Sequence, residues 1–328
     1  MDKLRFASII VTYRCNAKCV MCNTWKYPSR PEEEFKPELL EKLPFIDTIN
    51  ITGGEPFLRK DIYDIIDILR KKTNRIVIST NGFWTEKIIE IMKKYKDLGI
   101  RISIEGLPVT NAKLRGIPDG FDRALRTLME LKAMGCKDIG LAMTVSGDNA
   151  KDLVTLFRLA KNLNMELATA AVHNSYYFHK FDNEIPNKKE VIGEFLKLID
   201  ELFCSKRIKD WYRAYFNYGI INYILGRPRL LPCEMGFDAF FLDPYGKVRP
   251  CNVMDEVMGD LHEASFEEIW NGSEAKRIRQ KVKKCDQRCW MIGSVAYQMQ
   301  KYIWKPTWWI IKHKFLKRPI RIPENQVL

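Results

Sequence analysis

Two kinds of hydrophobic pattern alternate between residues 6 and 172 of this chain. Short apolar runs rich in β-branched residues predict strands, and longer segments with apolar residues every three or four positions, such as 61–72 and 121–134, predict amphipathic helices. Because parallel strands need a crossover connection, usually a helix, the alternation predicts an α/β protein with a parallel sheet. The six predicted strands are 6–13, 48–52, 75–80, 100–104, 139–145 and 166–172.

This pattern leaves two architectures open, an open doubly wound sheet and an incomplete barrel. In both, ligands bind at the C-terminal ends of the strands, so the residues just after each strand are candidates for a site. Beyond residue 186 the alternation stops, and two helices are predicted over 188–203 and 208–225. A cysteine-bearing segment, 233–289, and an aromatic, basic tail follow.

Composition indicates a globular protein that binds metal rather than one held by disulfides. The chain has 328 residues, of which 46% are hydrophobic, enough for one large domain with an appendage or two ordinary domains. Its nine cysteines are clustered and odd in number, which favours metal binding in a reducing compartment, and Cys136 and Cys204 are expected to be buried apolar residues inside helices. The apolar run 6–11 is too short for a signal peptide, and no segment approaches the ~20 apolar residues that span a bilayer. We therefore expect a cytoplasmic protein.

The tail carries much of the net charge of +13: eight Lys or Arg and no acidic residue lie between Asp286 and Glu324. Helical spacing predicts a helix over 292–303 and another that begins at Pro306. Trp and Lys together on an amphipathic helix are typical of a peripheral membrane interface, and a helix packed over the sheet is the competing expectation. Nucleic-acid binding is the least favoured use of this charge. The side chains expected to insert at an interface are Trp308, Trp309, Ile311 and Phe315.

Three cysteines with the spacing Cys15-x3-Cys19-x2-Cys22 come directly after the first predicted strand. A structural zinc site closes with four ligands, whereas three thiolates on a 4Fe-4S cluster leave one iron open to a small chelating molecule. The alternatives are a zinc site completed by a distant ligand and three loop cysteines without metal. After the second strand comes the run Gly53-Gly54-Glu55-Pro56, in which two glycines allow close approach of a ligand and a carboxylate suits an ammonium group.

Together, these cysteines and the Gly-Gly-Glu-Pro run one strand later resemble the radical S-adenosylmethionine (radical SAM) superfamily over roughly residues 5–175. The resemblance implies an incomplete (β/α)6 parallel barrel in which Cys15, Cys19 and Cys22 hold the 4Fe-4S cluster. It also implies that the loop Gly53, Gly54 and Glu55 contacts the amino group of the cofactor. Glu105 departs from the family pattern, in which many members have Asp at this place. Further matches to the family follow the third and fourth strands, and the chemistry of their side chains suits the cofactor: Ser79 and Asn81 for hydrogen bonds to its ribose, and Ser103 with Arg115 for its carboxylate.

Simpler roles remain open for three of these residues, namely helix capping for Ser79 and Asn81 and a surface charge for Arg115. In the superfamily, the reduced cluster cleaves S-adenosylmethionine to methionine and a 5'-deoxyadenosyl radical, which abstracts a hydrogen atom from the substrate. An external electron donor such as flavodoxin or ferredoxin is therefore expected. The candidates for substrate contact or acid-base chemistry follow the sixth strand: His173, Asn174, Tyr176 and Tyr177.

A second group of cysteines, Cys233, Cys251, Cys285 and Cys289, supplies enough thiolates to close a 4Fe-4S cluster or a zinc site. The first two bracket a predicted hairpin, with strands 239–242 and 247–249 around an Asp-Pro-Tyr-Gly turn. This segment resembles the C-terminal SPASM or twitch extension of radical SAM enzymes, including a helix over 266–271. Because it lacks the further cysteines of the full extension, we expect one auxiliary cluster, and four protein ligands favour an electron-transfer role for it.

The predicted organisation is a radical SAM partial barrel (1–186), a helical connection (187–231), an auxiliary-cluster domain (232–291) and a basic, aromatic, helical tail (292–328). The substrate class is open between a peptide, a sugar and a lipid or cell-envelope precursor, which would be membrane-associated. The alternative function is a non-catalytic iron-sulfur or zinc protein whose basic tail binds membrane or nucleic acid.

Overall fold

The computed structural model describes residues 3–323, which form two compact units. The first unit comprises residues 3–142, 173–183 and 234–284, and the second comprises residues 143–172, 184–233 and 285–323. None of the described helices is both long and apolar enough to cross a membrane.

All six predicted strands are present, and so is the predicted hairpin. The first strand ends at Ile10, earlier than expected: Val11 N–H still donates to the Thr52 carbonyl at 2.9 Å, and the residues after it lead to the cysteine loop. The strands are β1 Leu4–Ile10, β2 Ile46–Thr52, β3 Thr73–Thr80, β4 Gly99–Ser103, β5 Ile139–Val145, β6 Glu166–Ala171, β7 Ala239–Leu242, β8 Lys247–Arg249 and β9 Gly259–Asp260. The helices are α1 Ile62–Arg70, α2 Thr85–Lys94, α3 Pro108–Arg115, α4 Gly120–Ala133, α5 Leu153–Asn162, α6 Lys188–Cys204, α7 Ile208–Ile224, α8 Phe266–Asn271, α9 Ser273–Lys283, α10 Ile292–Lys301 and α11 Trp304–Ile310.

In the first unit the strands follow the order β5-β4-β3-β2-β1-β7-β8-β9. Neighbours from β1 to β5 pair in parallel, as the strand-helix alternation predicts. The hairpin strand β7 also pairs in parallel with β1 and extends this sheet, and the sequence pattern made no prediction about this pairing. In the second unit, β6 is the sheet neighbour of β5. Just beyond β6, Val172 N–H donates to the carbonyl of Val145, the last residue of β5, at 2.8 Å. The sheet is the incomplete parallel barrel of the predicted fold class, and its C-terminal strand ends lie on one edge.

A layer of isoleucines forms the core between the sheet and its helices. Ile9, Ile51, Ile78 and Ile102 are fully buried on four neighbouring strands. On α1, the four apolar side chains of the predicted helical face are also fully buried. Each such side chain adds about 1.5–3 kcal/mol to the stability of the fold when it leaves water. This layer therefore fixes which face of each strand packs against the helices.

Helices α6 and α7 pack against each other in the second unit, close to their predicted bounds. The tail also contains two helices, but α11 begins at Trp304, two residues before Pro306, because a proline anywhere in the first turn lacks only a hydrogen bond that is missing there anyway. Two sequence predictions about cysteines need correction. Cys204 is exposed because it is the last residue of α6, and Cys136 is buried as expected but lies in the loop after α4 rather than inside a helix.

Candidate metal centre and cofactor site

The cysteine loop, residues 15–22, is attached at its start to the segment that follows β2. Gly54 N–H donates to the Thr12 carbonyl at 2.7 Å, and Glu55 N–H donates to the Arg14 carbonyl at 2.8 Å. A Cβ atom on Gly54 would lie 2.3 Å from the Arg14 carbonyl oxygen, so only glycine allows this approach. The two sequence motifs are therefore joined backbone to backbone.

A buried carboxylate, Glu34, secures the same stretch from the other side. It accepts hydrogen bonds from the Thr12 hydroxyl, from Ser29 Oγ at 2.7 Å and from Arg14 Nη2 at 2.8 Å, and Arg59 Nη1 lies 3.3 Å away. Two guanidinium groups balance the charge, as a buried carboxylate requires. Glu34 was not among the predicted site residues, because Thr12, Arg14 and Arg59 lie 20–25 residues away along the chain and no local pattern marks them as its partners.

The middle of the cysteine loop is held by the C-terminal end of α3. Lys18 N–H donates to the Arg115 carbonyl at 3.0 Å, and Val20 N–H donates to the Leu114 carbonyl at 2.9 Å. Helix α3 ends at Gly116, whose φ of 66° is left-handed and whose lack of a side chain leaves room for Lys18. Carbonyls that the end of a helix leaves unsatisfied thus fix the loop that carries the thiols.

The three thiols of this loop lie close enough together to affect one another electrostatically. Burial, followed by the charge of Glu55, raises the pKa of the Cys15 thiol to about 12. Burial also raises the pKa of Cys19 and of Cys22, while the Arg115 guanidinium opposes the rise at all three. In the metal-free chain these thiols are protonated at neutral pH, so binding iron must displace protons from them.

This donor set fits an iron-sulfur cluster. Three thiols share one loop, and the cationic Arg115 beside them suits the net negative charge of a cluster with three thiolate ligands. Among residues 3–323, no three His, Cys, Asp or Glu side chains converge as they would around a single metal ion. A 4Fe-4S cluster does not need such convergence, because its thiolates bind different iron atoms.

Glu55 is completely buried at the C-terminal end of β2. One carboxylate oxygen accepts from the Thr80 hydroxyl at 2.8 Å and from Phe57 N–H at 3.2 Å, and the other accepts from Asn81 N–H at 2.8 Å. Burial raises the pKa of Glu55, and these three hydrogen bonds oppose the rise. A carboxylate has about four lone-pair positions, so one position remains for a further donor.

The ribose candidates Ser79 and Asn81 do not cap a helix. Ser79 Oγ donates to Asn50 Oδ1 at 2.9 Å, and Asn50 Nδ2 lies 3.4 Å from Ser8 Oγ, so polar side chains cross β1, β2 and β3 on one face of the sheet. Asn81 Nδ2 donates to Asn16 Oδ1 at 2.8 Å, which ties the end of β3 to the cysteine loop. Asn16 was not a predicted site residue, although it lies between two predicted ligands.

The two carboxylate candidates lie at the end of β4 and at the end of α3, the helix that follows it. Arg115 is buried and is therefore not a surface charge. Its Nη1 lies 2.9 Å from Glu105 Oε1, and the backbone N–H of Glu105 donates to Asn111 Oδ1 at 2.8 Å. The longer Glu105 side chain thus pairs with Arg115 itself. Ser103, the last residue of β4, is half-buried.

The loop after β6, residues His173–Asn183, belongs to the first unit and is called the bridging segment below. It contacts the cysteine loop directly after Cys22: Asn23 N–H donates to the Phe178 carbonyl at 2.8 Å. It also contacts the residue after Cys251, because Tyr177 N–H donates to the Asn252 carbonyl at 3.1 Å. Neighbouring contacts are Asn23 Nδ2 to the His179 carbonyl (3.0 Å), Asn183 Nδ2 to the Met21 carbonyl (3.1 Å) and Ser175 Oγ to the Asn252 carbonyl (2.6 Å).

The predicted catalytic candidates all lie in this bridging segment. The Tyr177 hydroxyl donates to the Gly53 carbonyl at 2.5 Å, and burial, followed by the charge of Cys22, raises the pKa of this phenol. The Tyr176 ring lies under the Arg249 guanidinium at 4.9 Å, and His173 is buried with its ring 5.1 Å from that of Phe178. Asn174 forms hydrogen bonds with Asn183 inside the same loop.

The second group of cysteines is divided between the units, with Cys251 in the first and Cys233, Cys285 and Cys289 in the second. In the second unit, the residue after Cys289 is fixed to α7: Trp290 Nε1 donates to the Phe216 carbonyl at 2.8 Å. A Cβ atom on Gly219 would lie 2.0 Å from the Trp290 ring, so this glycine makes room for the indole.

Family models match two parts of the chain. The model described as the radical SAM superfamily matches residues 9–160, and the model described as an iron-sulfur cluster-binding domain, SPASM, matches residues 233–290. Together they cover more than half of the sequence. Among curated relatives, Fe-coproporphyrin III synthase of Methanosarcina barkeri is 37% identical over 162 aligned residues, and the match covers 45% of this chain and 39% of that protein. The AdoMet-dependent heme synthase of the same organism is 24% identical over 304 aligned residues, and the match covers 81% of this chain and 82% of that protein.

A solved structure of anSMEcpe with bound AdoMet and the peptide Kp18Cys shares the fold. Its TM-score is 0.65 at 14% identity, and the match covers 95% of this chain and 99% of that chain. This chain spans well under two thirds of the first relative and most of the second. The chain therefore belongs to the radical SAM superfamily of enzymes and carries a C-terminal iron-sulfur cluster-binding domain of the SPASM type.

Proposed function

We propose that this chain cleaves S-adenosylmethionine reductively at a 4Fe-4S cluster on Cys15, Cys19 and Cys22 and abstracts a hydrogen atom from its substrate. We further propose one auxiliary 4Fe-4S cluster, on Cys233, Cys251, Cys285 and Cys289, that serves a substrate oxidation or a bond-forming step. When bound, the first cluster supplies the electron that cleaves the sulfonium, and the auxiliary cluster accepts or returns one electron. The protein positions the reactants and excludes water.

The bridging segment is the observation that carries the electron-transfer role. A path of bonds leads from Cys22 to its neighbour Asn23 and across a hydrogen bond of 2.8 Å to Phe178. It continues along the chain to Tyr177 and across a second hydrogen bond of 3.1 Å to Asn252, the neighbour of Cys251. Covalent bonds and hydrogen bonds couple donor and acceptor far better than gaps through space. The same contacts fix the two loops relative to each other.

Roles for the remaining candidates follow from the hydrogen bonds left open in the site. The free lone pair of Glu55 would accept from the cofactor ammonium, together with the backbone of Gly53 and Gly54. Ser79 and Asn81 are proposed to contact the ribose, and Ser103 and Arg115 the carboxylate. Among the substrate candidates, His173 and Tyr176 are proposed to contact substrate, whereas Tyr177 acts as a positioning residue because its hydroxyl is bonded to Gly53.

For the substrate we propose only a set of chemical classes. A peptide, a sugar and a lipid or cell-envelope precursor stay candidates, and the relatives named for haem synthesis add a tetrapyrrole. We also propose an external donor such as flavodoxin or ferredoxin, and a cytoplasmic protein held peripherally at a membrane through its tail.

Iron content and cofactor cleavage test the central proposal. Anaerobically reconstituted protein should bind about eight irons, and the triple variant in which Cys15, Cys19 and Cys22 are replaced by Ala should retain about four. With a reductant and S-adenosylmethionine, the unaltered protein should yield 5'-deoxyadenosine and the triple variant should not. The matched control is Cys204→Ala, which removes an exposed thiol outside both groups and should change neither value. Formation of 5'-deoxyadenosine by the triple variant would refute the proposal.

A further inference from the structure

The last described helix of the second unit has one face fixed to α7. Helix α11 continues through a π-helical turn, Ile311–Phe315, to its end. Trp309 is buried between aromatic rings, stacked on Tyr218 with centroids 5.0 Å apart, and Thr307 Oγ1 lies 2.8 Å from the Tyr212 hydroxyl. These contacts set the rotation of the helix about its axis, so the face it presents to solvent is also set.

That outward face consists of large apolar side chains. Trp304, Trp308, Ile311 and Phe315, called the tail stripe below, are 64%, 61%, 37% and 56% exposed. Spacings of four, three and four residues put them on one side of a helix. Exposed apolar residues are ordinary when scattered singly, whereas a contiguous row of this size marks an interaction surface. The prediction that Trp309 inserts at an interface is wrong, because Trp309 is buried and anchors the helix. Trp304, which is exposed, was not among the residues predicted to insert.

Basic residues surround the tail stripe. Lys301 and Lys317 are exposed, Lys305 lies over the Trp304 ring at 5.6 Å, and Lys312 is half-buried beside Ile311. The sequence has no acidic residue between Asp286 and Glu324 to offset them. The partner of this surface must therefore accept several apolar side chains and also carry negative charge.

We propose that the tail stripe is a docking surface for a bilayer that contains anionic lipid, with both indoles at headgroup level and the lysines against headgroup phosphates. Tryptophan prefers this depth because its ring is apolar with one polar N–H, and lysine side chains extend toward the headgroups. The inference rests on the proposed peripheral location and assigns to it the residues and the lipid class. A second copy of the chain is a poorer occupant, because two such surfaces would bring like charges together.

Co-sedimentation with vesicles tests the assignment with reconstituted full-length protein. We expect binding to phosphatidylcholine vesicles that contain about one third phosphatidylglycerol, and a loss of binding as salt reduces the Debye length from ~10 Å at 0.1 M to ~3 Å at 1 M. Replacing Trp304, Trp308 and Ile311 by Ser should weaken binding roughly tenfold or more. Replacing Lys301, Lys305 and Lys312 by Gln should weaken binding to the anionic vesicles and reduce its salt dependence.

Two matched controls separate the surface from general effects. Val109→Ser removes an exposed apolar side chain of the first unit, and a triple Gln variant of the exposed lysines Lys60, Lys93 and Lys137 removes the same charge elsewhere. Both should bind vesicles as the unaltered protein does. Equal binding by the tail-stripe variant and the unaltered protein, no binding by either, or binding to neutral vesicles alone would each overturn the inference.

Further measurements distinguish the other possible outcomes. A dimer in size-exclusion chromatography that the tail-stripe substitutions abolish would make a second copy the occupant and would also overturn the inference. Formation of 5'-deoxyadenosine without vesicles is measured on every variant and should stay unchanged. If the unaltered protein cleaves the cofactor but does not bind the anionic vesicles, the docking surface alone is refuted. If the unaltered protein does not cleave the cofactor, the proposed reaction is refuted instead.

Discussion

At the scale of single residues, the site depends on places where a side chain is absent as much as on its cysteines. Gly54 allows the segment after β2 to approach the carbonyl of Arg14 directly before Cys15, and Gly116 leaves room for Lys18 between Cys15 and Cys19. The sequence predicted that the glycine pair would allow close approach, but to a ligand. In the structure the group approached at Gly54 is the cysteine loop itself.

Replacing this glycine should therefore disturb the cluster site without unfolding the protein. In Gly54→Ala the added methyl group would overlap the Arg14 carbonyl oxygen and push the loop away, so 5'-deoxyadenosine formation should fall about a hundredfold, the effect of a displacement of about 1 Å in a reacting geometry. Gly193→Ala, inside α6 with open space around it, should leave formation unchanged and add about 0.5–1 kcal/mol to the free energy of unfolding. An active Gly54→Ala protein would show that this contact does not position the loop.

At the scale of elements, the parallel strands were predictable because each is a local run of β-branched residues, from Ile9 on β1 to Ile102 on β4. The pairing of β7 with β1 was not predictable, since a strand at residue 239 carries no local mark of its partner. The Glu34 network was missed for the same reason. Local patterns determine elements, whereas pairing depends on which distant surfaces fit together.

One element-scale contact gives a pH prediction. Asp138, just before β5, binds Arg101 on β4 and Arg75 on β3, each with an N–O distance of 2.7 Å. Burial alone would raise the pKa of Asp138, but Arg101 and Arg75 outweigh burial and lower it. A lowered folded-state pKa stabilises the protein above the unfolded value of about 3.9, and this stabilisation is lost as the pH falls through the folded value.

Asp138→Asn should accordingly lower the free energy of unfolding by about 1 kcal/mol at neutral pH, measured by urea denaturation. The difference from the unaltered protein should shrink in acid, where the carboxyl is protonated in both states. Asp97→Asn is the control, because Asp97 is exposed and pairs with Arg70 at the surface, so its effect should be about 0.3 kcal/mol. A difference that persists unchanged at low pH would mean that Asp138 acts by packing rather than by charge.

At the scale of the whole molecule, the family assignment followed from motif order alone. The sequence shows three motifs in a fixed order, namely the three-cysteine loop, the Gly-Gly-Glu-Pro run and four later cysteines. Both family models match the segments that contain these motifs. The predicted boundaries at residues 186, 231 and 291 stay a prediction. The bridging segment was foreseen only as a source of candidate side chains, because its contacts with the residues after Cys22 and Cys251 join segments that lie far apart along the chain.

The two clusters should therefore be separable by substitution. Cys251→Ala removes one thiolate of the proposed auxiliary cluster and leaves the loop 15–22 intact, so anaerobic reconstitution should yield fewer irons than the unaltered protein, at least about four, and undiminished 5'-deoxyadenosine. A bound cluster stabilises the folded chain, and ligands far apart along the chain close long loops that cost the unfolded chain entropy. Because the variant has lost one of these ligands, it should unfold at a lower temperature than the reconstituted unaltered protein. In metal-free samples the two proteins should unfold alike, which would exclude a packing effect of the thiol.

Two outcomes would contradict this picture of two separable clusters. Zinc in place of iron at this site in intact anaerobic protein would remove the electron-transfer role. Loss of all iron in Cys251→Ala would mean that assembly of the first cluster depends on the second.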